Sequence, residues 1–232
     1  MITTIEVWYV HLAATEGQLD RLARCLAPDE IVTAGRFKFE QHCRRFMMAR
    51  ASLRHILARY IGEFSDVVRF DFGPHGKPHL ANERHAAKIT FNLSHSEDWA
   101  LIAVAPGLPV GIDIEHVRPE LATDDTIRLV FSTKEQAALA AFSGVRRVQA
   151  FFKGWTSKEA YIKGLGDGLL IPLQEFEVSV DPGNPAELLR PYHAAKEWPW
   201  SLHDLKMPPG YIATLAVARR PMQIVTRLWT SG

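Results

Sequence analysis

Glu159 is the one polar member of an otherwise hydrophobic stripe. The segment Trp155-Thr156-Ser157-Lys158-Glu159-Ala160-Tyr161-Ile162-Lys163 has helical spacing, and Val148, Phe152, Trp155, Glu159 and Ile162 follow one another at steps of four, three, four and three residues. A carboxylate buried without a partner is costly or takes up a proton, so this position implies a cation. Lys163, four residues on and in the favourable Glu-to-Lys orientation, offers a helical ion pair. A bound metal is the other option, and it needs further ligands.

Val110-Gly111-Ile112-Asp113-Ile114-Glu115 supplies two. Its alternation predicts a strand that buries Val110, Ile112 and Ile114 and projects Asp113 and Glu115 from the opposite face. Paired carboxylates on one rigid face suit a hard divalent cation such as Mg²⁺, which takes a few carboxylates and completes its shell with substrate phosphate oxygens. An ordinary wet strand face carries the same pattern.

Upstream, Phe91-Asn92-Leu93-Ser94-His95-Ser96 leads into the apolar run Trp99 to Ala105, and Pro106-Gly107-Leu108-Pro109 turns the chain into the acidic strand. This reads as a three-stranded antiparallel meander. Pairing Ala105 with Val110 would place Ala100 opposite Glu115, with Asn92 beyond it and the Ser94-His95-Ser96 loop near the acidic pair.

Gly76-Lys77-Pro78, Asn92-Leu93-Ser94-His95-Ser96, Gly111-Ile112-Asp113-Ile114-Glu115, Phe131-Ser132-x-x-Glu135 and Trp155-x-x-Lys158-Glu159-Ala160-x-x-Lys163 occur in one order. In that order and approximate spacing the chain resembles the 4′-phosphopantetheinyl transferases of the Sfp type. The resemblance spans about Gly76 to Leu170 and extends more weakly through the arginine-rich segment from Arg36 to Arg59. It implies Asp113, Glu115 and Glu159 as ligands of Mg²⁺ held against the pyrophosphate of coenzyme A. It also implies Lys77, Ser94, His95, Lys158 and Lys163 as coenzyme A contacts, with Lys163 on the phosphate under attack. Such an enzyme transfers 4′-phosphopantetheine to a serine of an apo acyl, peptidyl or aryl carrier protein and releases adenosine 3′,5′-bisphosphate. Glu159 and Glu115 are the candidate bases for the serine proton. The family commonly has a large apolar residue before the motif tryptophan. This chain has Gly154, which predicts a looser or bent helix there.

Other elements must position these groups. Thr33 to Gly62 reads as one long helix whose stripe Phe39, Cys43, Phe46, Leu53, Leu57 and Tyr60 is interrupted by Arg50. Arg44, Arg54 and Arg59 read as solvated arginines with stems over the core. Arg50 calls for an anion, which the resemblance makes a coenzyme A phosphate. Gly164-Leu165-Gly166-Asp167-Gly168 follows a helix rather than a strand, so it reads as a helix cap instead of a phosphate loop. Ser132-Thr133-Lys134-Glu135 reads as a capping box opening a helix through Phe142.

The halves echo each other: a long helix precedes Trp99 to Ala105 in the first and Tyr211 to Ala218 in the second. We therefore expect an α+β fold of two similar subdomains, residues 1–107 and 108–232. As in the family, a pseudo-twofold would relate them, each with a small antiparallel sheet packed on a long helix. Ligand sites favour such junctions. With 27 basic and 26 acidic residues the net charge is +1, which argues against a general nucleic-acid binder. No apolar run is long enough to span a bilayer, and the start of the chain shows no secretory pattern. Cys25 and Cys43 form neither a metal motif nor a disulfide framework. A cytoplasmic, monomeric enzyme is the expectation. A metal-dependent coenzyme A pyrophosphate hydrolase would need a denser acidic helix than the chain contains. A non-catalytic carrier-protein or coenzyme A binding module would be signalled by a lost carboxylate, and all three are present.

Overall fold

In the computed structural model, residues 3–166, 171–193, 198–218 and 222–230 are described. The first half runs β1 (Thr3–His11), α1 (Glu16–Ala23), α2 (Pro28–Ala34), α3 (Glu40–Ile61), β2 (Phe70–Phe72), β3 (Pro78–Leu80), α4 (Glu83–Ala86), β4 (Thr90–Ser96) and β5 (Trp99–Ala105). The second runs β6 (Val110–His116), α5 (Asp124–Val130), α6 (Thr133–Ala140), α7 (Gly144–Leu165), β7 (Glu177–Val178), β8 (Leu188–Arg190), β9 (Ser201–Leu205), β10 (Tyr211–Val217) and β11 (Met222–Leu228).

The fold is α+β, and its topology repeats. Each half has a first strand, a 22-residue helix and a later pair of strands. The sheet orders β1-β5-β4 and β6-β10-β9 match strand for strand. Trp99–Ala105 and Tyr211–Val217, the segments that echo each other in sequence, are the two central strands β5 and β10.

Strand alternation explains the layering. Trp8, Val10, Ala100, Ile102 and Val104 face α3 residues Leu53, Ile56 and Leu57. Ile5, Val7, Leu101 and Ala103 on the other face meet Val110, Ile112, Ile114 and Leu215 of the second sheet. On that sheet's far side lie the residues that pack on α7. The order of layers is helix, sheet, sheet, helix, with both sheets buried on two faces, which is why β1 and β5 read as nearly continuous apolar runs. No helix among the described residues is long and apolar enough to cross a membrane.

Several sequence expectations change. The meander does not form: β5 already has β1 and β4 on its two edges, so β6 has no edge to join and begins the second sheet beside β10. Ala100 accordingly pairs with His95 and Glu115 with Ile212. The first sheet is also mixed rather than antiparallel, because β11 returns from the second half to pair parallel with β1.

The long helix from Thr33 is two helices. Gly35 closes α2, and the chain reopens as α3 with Phe39 as its extended N-cap residue. Phe39 is therefore exposed rather than in the core stripe. At the other end Gly62 takes the left-handed conformation, φ 70°, that ends a helix.

The anion that Arg50 requires is internal. Glu30 of α2, itself buried, accepts from Arg50 Nε and from Arg54 Nε, each at 2.6 Å. Arg54 is buried rather than solvated and also donates to Val68 O at 2.7 Å. Both guanidinium groups lie over the Phe70 ring, 4.7 and 5.4 Å from its centroid. Arg50→Ala should cost about 1.5–3 kcal/mol, the scale of a charged hydrogen bond lost inside a protein while Arg54 keeps Glu30 partly paired. The urea unfolding midpoint tests this, and wild-type stability would return Arg50 to the pool of phosphate ligands.

Helix α7 is continuous through Gly154, so the expected loosening does not occur. A Cβ at Gly154 would stand 2.5 Å from Phe131 Cε1, and the missing side chain is the space that Phe131 fills. The capping box at Ser132 forms, with Ser132 N donating to Glu135 Oε2, and its helix ends at Ala140, short of Phe142. Gly166 caps α7 in the left-handed conformation, while Asp167 and Gly168 of that loop lie outside the described residues.

Candidate active site

Strand β6 lies beside β4, but the two are joined by side chains. Asn92 Oδ1 accepts from Ile112 N at 2.8 Å, Ser94 Oγ from Ile114 N at 3.4 Å and Ser96 Oγ from His116 N at 3.0 Å. Alternate polar residues of β4 thus stand in for a missing strand and satisfy the edge of β6 that faces the first half. The same hydroxyls hold the acidic residues: Ser94 Oγ donates to Asp113 Oδ1 at 2.9 Å and Ser96 Oγ to Glu115 Oε2 at 3.2 Å.

Across from them α7 presses directly on β6. Gly111 packs so closely that a Cβ there would lie 2.0 Å from Ala160 O and 2.3 Å from Gly164 N. That approach brings Lys163 Nζ to 2.5 Å from Asp113 Oδ1 and 3.2 Å from Ser94 Oγ. Glu159 stands one turn before Lys163 on the same helix face.

Together these residues line an open cleft of about 680 Å³ bounded by Ser94, His95, Asp113, Glu115, Thr126, Trp155, Glu159 and Lys163, with Leu129 and Val130 of α5 and Leu173 as its apolar wall. Trp155 stacks on Phe151 with ring centroids 6.1 Å apart. Asp113 is 2% exposed, so the polar face of β6 is a packed surface rather than a wet one.

The charges are mutually strained. Burial raises the Asp113 pKa, with Lys163 and Ser94 partly offsetting it. Burial and then the Asp113 charge raise that of Glu115. Burial, Asp113 and Glu115 together push Glu159 up to about 7 against the opposing pull of Lys163. Burial works against the Lys163 ammonium, but Asp113 first, then Glu159 and Glu115, outweigh it and lift its pKa. His95 reaches solvent at the mouth, yet the protein crowded around it and then the charges of Lys163 and Arg45 lower its pKa. Three carboxylates with Lys163 among them and only Arg118 adding positive charge near Glu115 are a cluster short of positive charge.

That shortage bears on Mg²⁺. Asp113 Oδ2 is buried and has no hydrogen-bond partner. Glu159 does not take Lys163 as an ion-pair partner, because Lys163 turns to Asp113. Among the described residues no three metal-type side chains are grouped at ligand spacing. The donors fit an ion that takes two or three carboxylates and draws its other ligands from water and phosphate, as Mg²⁺ does.

Six of the expected residues meet in this cleft: Ser94, His95, Asp113, Glu115, Glu159 and Lys163. Three do not. Arg50 is held by Glu30. Lys158 points into the interior, donating to Leu173 O, Phe176 O and Glu135 Oε2 at 2.7, 2.8 and 2.8 Å. Adjacent residues on a helix differ by about 100° in direction, so Lys158 and Glu159 face different surroundings. Lys77 is not among the residues lining the cleft, and its ammonium lies against main-chain carbonyls. Sequence reasoning missed the roles of Asn92, Ser96 and Gly111. The period of two in Asn92, Ser94 and Ser96 was the available signal.

The 4′-phosphopantetheinyl transferase superfamily model matches residues 109–216, and the 4′-phosphopantetheinyl transferase N-terminal model matches residues 11–107. The 4′-phosphopantetheinyl transferase HetI of Nostoc sp. is 37% identical over 214 residues, covering 92% of this chain and 87% of that protein. The 4′-phosphopantetheinyl transferase psf-1 of Bacillus pumilus is 31% identical, covering 84% of this chain and 79% of its own. The solved Chronobacterium ammoniagenes ACPS–CoA complex aligns with 48% of this chain and 96% of its own at 22% identity and a TM-score of 0.38. With a relative matched over nearly its whole length and both halves covered by family models, the chain belongs to the 4′-phosphopantetheinyl transferases.

Proposed function

We propose that the enzyme transfers the 4′-phosphopantetheine of coenzyme A to a serine of an apo carrier protein in a Mg²⁺-dependent reaction that releases adenosine 3′,5′-bisphosphate. The observation that carries this reading is the convergence of Asp113, Glu115, Glu159 and Lys163 on one cleft, with the buried Asp113 Oδ2 unpartnered. Asp113, Glu115 and Glu159 would hold Mg²⁺, which supplies charge neutralisation to the pyrophosphate. Lys163 is placed to contact the phosphate under attack, and His95 at the mouth to offset charge on the leaving side. Glu159, on the cleft beside Asp113 and Glu115, is the first candidate to accept the serine proton, and Glu115 is the second. Leu129, Val130, Leu173 and Trp155 provide an apolar wall fit to screen the reaction from water. Phosphoryl-type transfer depends chiefly on such positioning and charge neutralisation. The two halves, 1–107 and 108–232, we read as the subdomains between which substrate lies.

Incubation with coenzyme A, Mg²⁺ and a panel of apo carriers, read by mass, tests the proposal. A carrier heavier by one phosphopantetheine supports transfer. Cleaved coenzyme A with an unmodified carrier would indicate a hydrolase, and neither product a binding module. Asp113→Ala should abolish the modification with the fold retained, and near-wild-type activity at millimolar Mg²⁺ would sink the metal assignment.

A further inference from the structure

We propose that Lys77 is a positioning residue that ties the end of α7 to the start of β6, and that its ammonium does not contact coenzyme A. The residue sits on the short β2–β3 hairpin, whose turn is closed by Gly73 N donating to Lys77 O at 2.9 Å and by Gly76 at φ 77°. This hairpin belongs to the first half, but Lys77 reaches into the second. Its Nζ lies 2.5 Å from Lys163 O, 3.2 Å from Val110 O and 3.5 Å from Gly164 O.

An ammonium has three N–H donors and no acceptor, so three carbonyls use its whole capacity and leave nothing for a phosphate. Two of those carbonyls are in the last turn of α7, where helix carbonyls lack partners within the helix and the dipole is negative. Burial brings the Lys77 pKa down to about 8, which leaves the group mostly charged at neutral pH, as a helix C-terminus favours.

What Lys77 joins are the two backbones that carry the site. The side chain of Lys163, whose carbonyl Lys77 holds, reaches Asp113, and Asp113 lies three residues after Val110, whose carbonyl it also holds. The glycine contact of Gly111 with Gly164 sits between them. Loss of Lys77 should therefore move Lys163 and Asp113 relative to each other without removing a substrate ligand.

The proposal rests on the transferase reading for its kinetic readout. Wild type, Lys77→Met and Lys77→Arg would be compared by calorimetric coenzyme A affinity without carrier, by kcat and KM for coenzyme A with an apo carrier, and by hydrogen exchange. In the methionine variant we expect kcat to fall about tenfold to a hundredfold, with coenzyme A Kd and KM within about twofold. Amide exchange should quicken at the end of α7 and along β6. Should that variant not fold, Lys77→Arg decides. A guanidinium is too broad for the carbonyl cluster but an excellent phosphate ligand, so kcat should fall with Kd unchanged. Coenzyme A binding weakened about tenfold in either variant overturns the proposal, as does a wild-type kcat in both. Wild-type protein inactive on every carrier would sink the transferase reading instead, and the exchange measurement would still judge Lys77.

Discussion

Glu159→Gln is expected to lower turnover about a hundredfold or more while leaving the ligand-free protein as stable as wild type or more stable. The helical ion pair suggested by Lys163 four residues on does not form, since Lys163 turns to Asp113 at 2.5 Å. Glu159 interacts with that lysine only through space, and burial, Asp113 and Glu115 all oppose its charge. Were it part of a surface pair, the change would cost only ~0–1 kcal/mol and little activity. As a metal ligand and candidate base, it loses with its charge the property both roles require. Turnover and thermal midpoint without Mg²⁺, measured on one preparation, separate the cases. Full activity in the glutamine variant would end the functional reading.

The same residue sets a sign for the pH dependence of apo stability. Its pKa rises from the ordinary carboxylate value of 4.5 to about 7 on folding, so the folded chain binds this proton more tightly than the unfolded chain. Stability from this source is fully present below the unfolded value and is lost as pH climbs through about 7. Asp113 and Glu115 are raised too and add slope of the same sign. Thermal midpoints should therefore decline with rising pH in wild type, less steeply in Glu159→Gln. Equal slopes in the two proteins would mean that Glu159 is solvated.

How much of this was legible in sequence depends on whether a residue's surroundings are local. The strand around Asp113, the helix around Glu159, the capping box at Ser132 and the repeat of Trp99–Ala105 in Tyr211–Val217 follow from spacing that a single element determines. The partners of Arg50 and Lys77 lie on other elements: Glu30 on α2, and carbonyls of β6 and α7. A stripe interruption revealed that Arg50 needed an anion but not which one. The meander was misread for a related reason. A short turn after β5 favours pairing with the next strand, and only the arrival of β1 on that edge, from the far end of the chain, rules it out.

Gly111→Ala is expected to be the most damaging alanine substitution among the described glycines. The added methyl would lie 2.0 Å from Ala160 O, 2.3 Å from Gly164 N and 2.8 Å from Gly164 Cα. These are backbone atoms of α7, so no side-chain rotation can relieve the contact, and strand and helix must separate. Overpacking of this kind costs about 3 kcal/mol or more. Separation also draws Asp113 away from Lys163, and a shift of about 1 Å in a reacting group can cost about a hundredfold in rate. The variant should therefore lose activity even at temperatures where it remains folded. Gly17→Ala in α1 is the control, because a Cβ there meets nothing within 4 Å. It should leave activity untouched and stabilise the helix by up to about 1 kcal/mol. Denaturant midpoints and turnover for both variants decide the point, and a Gly111→Ala enzyme with wild-type kcat would show that the close seam between β6 and α7 is not what positions the site.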